Sequence, residues 1–564
     1  VRHMMITRHY ATVGSRRVHY RRAGQGPAIV LLHASPVSSE VFEAVHFPIL
    51  AKEFTVIAID TPGQGLSDKL DLGRQEKIED LADALAETLE VLGVDHCALY
   101  GRHTGASIAV EYARRFPARA ALVITDGFPL FPPEVRDDYL KNYLADIVPD
   151  WAGSHLLWWW FRYREQHVFW PWHKHKGANR ADQDVPDLAF LQRGTREILV
   201  AGNTYKSPYA AAFLHEGPAA VDAIIKGPVP VCFGGRPGDS VFSALERMDK
   251  KSWIKEFARD KRDAAMQELE IFRQHPAKGE PPPPPDTADL RGRVTVRYAA
   301  VGGRQVAVRS SGDHAGTPVV LLHRFPGSGK FLEPLLLELG KSRRAIAIDL
   351  PGHGDSDPVG DHSVTAYAAV VAATLDHLGL PSAHIYGHNA GASVAIALAL
   401  DRPRAVASLM LEGPMVMTAP DRARFAAHWA LPADPVWDGH HLTTIWHQTR
   451  DKRLYYPWYE KTLSASRFIE PEIEPERIHD QVVEMIKHPW SFKPAWDAAF
   501  AYPTRECLSE VRVPTWIGVA DADDFAPCRE ATERLLGQAV TALGPTSSPT
   551  ATAQAINAFL KAQA

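Results

Sequence analysis

Two short turns hold the residues of this chain best placed to do chemistry. His103 stands in the middle of Gly101-Arg102-His103-Thr104-Gly105, and Asn389 in the middle of Gly387-His388-Asn389-Ala390-Gly391. An imidazole titrates near neutral pH, so His103 could act as general base, general acid or transient nucleophile, or else only pack and hydrogen-bond at its turn. An asparagine amide is not a useful nucleophile, but Asn389 could donate a hydrogen bond to a ligand carbonyl. Asp126 and Glu412 follow at matching distances from the two turns. Each could orient a pocket histidine, or else be a solvated carboxylate or pair with an arginine. Further on, His155, Trp160, Arg164 and Trp172 recur as His441, Trp446, Arg450 and Trp458 at identical spacing. The tryptophans read as a local hydrophobic core. The two histidines read as functional, since a core would favour Leu or Phe there. The two arginines could clamp a carboxylate or pair with Asp126 and Glu412.

These residues need elements to position them, and the same order of elements occurs twice. Apolar runs 28–33 and 319–323 read as buried strands, each ending in Leu-Leu-His. A second strand ends at Asp60 or Asp349 and enters a Gly-rich turn. A third, 97–100 or 384–386, enters the turn carrying His103 or Asn389, and Ala-rich helices follow to Pro117 and Pro403. Strands alternating with helices of 10–15 residues specify a mostly parallel sheet covered on both faces, hence an α/β class. Matched residues of the two halves keep one constant separation, so the chain is a tandem duplication. The run Pro281-Pro282-Pro283-Pro284-Pro285 marks a semi-rigid spacer. The expected organisation is a first domain over 1–275 (helical lid about 130–215), a linker over 276–290 and a second domain over 291–564 (lid about 414–500). Whether the first copy builds its own last strand is left open.

With these residues on the page, the chain resembles the α/β-hydrolase superfamily, in its haloalkane dehalogenase, epoxide hydrolase and esterase branch. The carriers are Leu32-His33-Ala34-Ser35-Pro36 and Leu322-His323-Arg324-Phe325-Pro326-Gly327, similar to the family's oxyanion loop. Asp60-x-Pro62-Gly63-x-Gly65-x-Ser67-Asp68 and Asp349-x-Pro351-Gly352-x-Gly354-x-Ser356-Asp357 match a second signature. The Gly-x-x-x-Gly turns match the nucleophile elbow, whose central residue is usually Ser, sometimes Asp or Cys. The resemblance implies that Ala34 with Thr104, and Arg324 with Ala390, stand where oxyanion donors would, and that His33 and His323 structure the loop. It also implies an acid after the penultimate strand, filled by Asp521 in the second copy and displaced to Asp239 in the first. The catalytic histidine that the family places after its last strand is missing, since no histidine follows His488. A Ser-His-Asp triad is therefore expected in neither copy.

Composition narrows the partners. A net charge of -5 gives no electrostatic reason to expect nucleic acid or membrane. No apolar run approaches the ~20 residues that span a bilayer. The four cysteines are scattered without CxxC spacing, and the histidines lack metal-ligand spacing, so no cofactor or metal is expected. A cytoplasmic protein is the default. The leading expectation is an enzyme of the hydrolase superfamily acting on a small apolar or aromatic substrate by His-based acid/base or electrostatic chemistry, centred in the first copy on His103 and His155. The alternative is a catalytically silent ligand-binding or scaffold protein.

Overall fold

The structure, a computed structural model, describes residues 5–235, 252–287, 292–544 and 548–563. Asp239 lies outside the described residues. The apolar runs form two sheets of eight strands. The first comprises β1 (Thr7–Val13), β2 (Arg16–Ala23), β3 (Ala28–Leu32), β4 (Thr55–Ile59), β5 (Cys97–Arg102), β6 (Ala120–Asp126), β7 (Val231–Gly235) and β8 (Ser252–Glu256). The second comprises β9 (Thr295–Val301), β10 (Arg304–Ser311), β11 (Val319–Leu322), β12 (Ala345–Ile348), β13 (Ala383–His388), β14 (Val406–Glu412), β15 (Thr515–Val519) and β16 (Thr541–Ala542). The orders β1-β2-β4-β3-β5-β6-β7-β8 and β9-β10-β12-β11-β13-β14-β15-β16 are the same topology twice. In each sheet the first two pairings are antiparallel and the rest parallel, as βαβ crossovers require.

The central strands are apolar without interruption because both faces are covered. Val30, Leu32, Ile57, Ile59, Leu99 and Val123 pack on one face with the helices Ile78–Val91 and Thr104–Arg115. Their neighbours Ile29, Leu31, Val56, Ala58, Ala98 and Leu122 pack on the other with the helix Lys261–Gln274. The alternation has the period of two that a pleated strand imposes. Burying each such Val, Leu or Ile contributes roughly 1.5–3 kcal/mol. The first copy does build its own last strand. Ser-Trp-Ile-Lys-Glu of β8 pairs in parallel with β7, and the helix after it buries Ala265, Leu269 and Phe272.

The Asp-Pro-Gly signature proves to be a fastening. Asp60 accepts hydrogen bonds from the backbone of Ser39 (2.8 Å) and Leu66 (2.9 Å), and Asp349 does the same for Gly329 (2.6 Å) and Asp355 (2.9 Å). Gly65 and Gly354, at φ 55° and 54°, lie so close to these carboxylates that a Cβ would overlap them. Ser67 and Ser356 accept from His19 and Ala307 of β2 and β10, at 2.9 and 2.8 Å. The turn thereby holds the loop after β3 or β11 against the sheet.

By contact the chain divides into Val1–Ile147 with Arg162–Ala288, and Val148–Phe161 with Asp289–Ala564. Residues 148–161, expected in the first copy's lid, thus group with the second unit. The proline segment is held rather than free. Arg22 donates to the carbonyls of Pro282 (2.5 Å) and Pro281 (3.2 Å) within the first unit.

Candidate functional site

His103 and Asn389 share a strained backbone. Their φ/ψ values are 46°/-109° and 49°/-112°, and they are the only non-glycine residues at positive φ among those described. Such conformations typically cost about 1–3 kcal/mol and need surroundings that over-determine them. Those surroundings are visible. The N–H of His103 donates to the carbonyl of Asp126 (3.1 Å), and that of Asn389 to Glu412 (2.9 Å). A Cβ on Gly105 would collide with the Leu32 carbonyl, and one on Gly391 would press on the His323 carbonyl. Each helix following the turn is therefore seated directly on the end of the neighbouring strand.

The two side chains meet different fates. His103 is exposed, whereas Asn389 is only 1% exposed. The Asn389 amide donates to the Gly413 carbonyl (3.1 Å) and to both carboxylate oxygens of Asp523 (3.0 and 3.2 Å). The acid facing this turn is thus Asp523, not Asp521, whose carboxylate pairs with Arg529 at 3.2 Å. His388, beside Asn389, completes the group by bonding Asp523 Oδ2 through Nε2 at 2.9 Å. Burial alone would lower the His388 pKa, but the bond to Asp523 and the charges of Glu412 and Asp523 outweigh it and raise the pKa.

Asp126 and Glu412 sit at the ends of β6 and β14. Tyr100 donates to Asp126 at 3.2 Å and Tyr386 to Glu412 at 2.6 Å; Arg102 adds an ion pair to Asp126 at 3.4 Å. The expected pairing of Arg450 with Glu412 is not made. Arg450 lies by Asp451 at 3.2 Å and over Trp151, and Arg164 pairs with its neighbour Glu165 at 3.1 Å.

His33 and His323 have matching roles. Each accepts a backbone N–H through Nε2, from Thr61 (3.0 Å) or Leu350 (2.9 Å). Nδ1 is thereby the protonated nitrogen and donates to the carbonyl of Ala34 (2.9 Å) or Arg324 (2.8 Å). Thr104 and Ala390 open the helices after the two turns, and the backbone N–H groups of Ala34, Thr104, Arg324 and Ala390 are given to no other described group.

The repeated His and Trp residues pack against one another. His155 belongs to a different unit from His103. Within the second unit His155 Nδ1 accepts the N–H of Asp150 (3.2 Å), while Nε2 meets His479 Nδ1 at 3.0 Å. His441 repeats the first of these by accepting the N–H of Val436 at 3.4 Å. His155 lies edge-on to Trp446, and His441 edge-on to Trp160, both with ring centroids 5.0 Å apart. Trp160 donates to the Trp437 carbonyl (2.9 Å) and Trp446 to that of Trp151 (3.3 Å). This is a reciprocal packing of residues 148–161 against the helix His440–Asp451.

A cavity of about 570 Å³ opens at the carboxyl ends of β13 and β15. His323, Arg324, Tyr386, His388, Glu412, Arg453, Gln481 and Asp523 are among its lining residues. His388 and Asp523 were legible as neighbours of Asn389 and Asp521; Arg453 and Gln481 carried no sequence signal. Among the described residues no cluster of His, Cys, Asp and Glu is arranged to hold a metal ion, and no helix is long and apolar enough to cross a membrane.

Comparison with known proteins agrees with this architecture. The family model described as alpha/beta hydrolase fold matches residues 27–197 and 317–452, over half of the chain. The acetyltransferase component of the acetoin cleaving system of Pseudomonas putida is 41% identical over 130 residues, 22% of this chain and 34% of that protein. The 2-(acetamidomethylene)succinate hydrolase of Mesorhizobium japonicum is 32% identical over 145 residues, 26% of this chain and 49% of that one. The chain thus spans between a third and a half of the length of these relatives. Among solved structures, epoxide hydrolase A from Mycobacterium thermoresistibile is 18% identical, covers 48% of this chain and 98% of its own, and has a TM-score of 0.39. With its sheet order occurring twice and the family model matching in both halves, this chain belongs to the α/β-hydrolase fold family.

Proposed function

We propose that the protein is an enzyme of the hydrolase superfamily that works by histidine acid/base chemistry rather than by attack of a residue at the strand-to-helix turn, and that its centre is His388 with Asp523. The observation that carries this reading is the 2.9 Å bond between the two, on the wall of the cavity at the carboxyl ends of β13 and β15. Ligands of open α/β sheets bind at such strand ends. Asp523 fixes the ring with Nε2–H pointing at the carboxylate, which leaves Nδ1 to take a proton from an attacking water and return it to the leaving group. The raised His388 pKa favours the imidazolium that returns the proton to the leaving group. Asn389, bound to Asp523 and Gly413, supports the carboxylate and does not attack.

Hydrolysis is the preferred reaction, in keeping with the relative named as a hydrolase. A panel of aryl esters, amides, epoxides and haloalkanes tests the reading. His388→Gln should lower kcat at least about a hundredfold, with His103→Ala unaffected. Full activity in His388→Gln would overturn it. A second reading, binding without turnover, is favoured by the occupation of Asp523 by Asn389. That reading expects ligand binding with no turnover across the panel.

A further inference from the structure

We propose that the cavity of the second copy recognises a small carboxylate with an apolar or aromatic body, held by Arg324 and Arg453. This rests on the preceding reading only for what happens to the ligand; the binding itself stands on separate observations. Arg324 Nη2 and Arg453 Nη2 both donate to one oxygen, Oε1 of Gln481, each at 3.2 Å. Two guanidinium charges thus share one neutral acceptor, and among the described residues neither has a carboxylate within 4.0 Å.

Other cations of the same unit are met in two ways: the buried Lys452 lies over the Trp429 and Trp496 rings at 5.0 and 4.7 Å, and two more have carboxylates. Arg309 is met by Asp349 (2.8 Å), Asp355 (2.9 Å) and Glu333 (3.2 Å), and Lys487 by Asp355 and Glu484 (both 2.9 Å). Arg324 and Arg453 stand on the cavity wall with the Gln481 amide as their shared acceptor. Burial, and next the like charge of Arg453, lower the Arg324 pKa against the raising charges of Asp524, Asp523 and Glu472. A carboxylate can take two N–H donors at once, and the planar guanidinium fork is matched to it.

The remaining wall narrows the class. Phe331, Leu332 and Leu335 line the same space and suit an apolar or aromatic body. Glu412, Glu472, Asp480, Asp523 and Asp524 also line it, outnumbering Lys330 and Arg477, so a dianion such as phosphate meets more repulsion than a singly charged carboxylate. His388 shares this cavity, which puts the bound molecule within the compartment of the acid/base pair.

The test is calorimetric titration of the full chain with benzoate, its neutral isostere benzamide, and inorganic phosphate at fixed ionic strength. Benzoate should bind at least about tenfold more tightly than benzamide and more tightly than phosphate. Arg324→Met and Arg453→Met should each weaken benzoate about ten- to a hundredfold, the range for a lost hydrogen bond to a charged group. Equal affinity for benzoate and benzamide, tighter binding of phosphate, or benzoate binding indifferent to both substitutions in folded variants would each overturn the proposal. The comparison of benzoate with benzamide needs no variant, so it holds even if an arginine substitution unfolds the chain. Binding is read on benzoate and turnover on the substrate panel, so loss of binding in the arginine variants and loss of turnover in His388→Gln are read separately.

Discussion

Gly439→Ala should destabilise the second unit far more than a glycine substitution of the same backbone type elsewhere. Gly439 sits at φ 74°, ψ 4°, ahead of the helix His440–Asp451. An added Cβ would lie 2.6 Å from Cδ1 and 2.7 Å from Cγ of Trp160. The left-handed conformation costs an L-residue about 1–2 kcal/mol. The overlap adds the cost of moving an indole that is fully buried and tied through Nε1 to the Trp437 carbonyl at 2.9 Å, about 1–3 kcal/mol as for other overpacked sites. The expected loss is therefore about 2–5 kcal/mol. Gly379→Ala is the control. Its φ is 66° and nothing lies within 4 Å of the added Cβ, so it should lose only the backbone part. Gly153→Ala should resemble Gly439→Ala, because its Cβ would overlap Trp446. Urea titrations of the three variants, with hydrogen exchange of the helix His440–Asp451 as local readout, measure the difference. If Gly439→Ala and Gly379→Ala lose the same stability, the reciprocal tryptophan packing is not what holds this region.

Two further outcomes follow from the electrostatics. Asp523 helps to raise the His388 pKa, so Asp523→Asn should move the His388-dependent limb of the kcat–pH profile to lower pH and reduce kcat; an unmoved limb would remove Asp523 from the centre. His479 and His441 are pushed down to about 4 by burial first, and His155 is lowered for the same reason. His479 and His441 are neutral in the fold above about pH 4 yet protonate near 6.5 when unfolded, so the unfolded state binds more protons and stability is lost as pH falls from about 6.5 to about 4. His479→Leu should flatten that slope in urea midpoints recorded across the window, and an unchanged slope would show that this histidine binds protons equally in the folded and unfolded states.

The fold was legible because its strands are continuous apolar runs ended by turns that tolerate few residues. Gly65 and Gly354 recur because a side chain there would displace Asp60 or Asp349. β8 was not legible: Ser-Trp-Ile-Lys-Glu is a half-buried edge strand without the apolar run of the centre. The repeat of His155, Trp160, His441 and Trp446 was visible, but its meaning was not. Each residue's partner lies hundreds of positions away, and a histidine that accepts a local N–H and stacks on a distant indole has the same spelling as a catalytic one. The cavity was hardest of all. Arg324, Arg453 and Gln481 come from separate segments, and no spacing rule brings two arginines to one amide.

That the turns at His103 and Asn389 share one strained backbone conformation has a packing explanation. Gly101 and Gly387 must lack a side chain because a Cβ would press on the backbone of the helix's first turn, at Gly105 and Ala106 in one copy and Gly391 and Ala392 in the other. Gly105 and Gly391 must lack one because the helix abuts the ends of β3 and β11. The residue between them is forced to positive φ whatever its side chain, since its own N–H is tied to the end of β6 or β14. The strain is thus maintained by the junction of strand and helix, and its presence alone does not identify a catalytic residue. What distinguishes the two copies is the surrounding chemistry. In the second, the carboxylate of Asp523 receives both Asn389 and His388, and the imidazole faces a cavity with two arginines that share a neutral acceptor. On the function proposed above, the same backbone carries its proton-transfer centre one residue before the position where the family usually keeps its nucleophile.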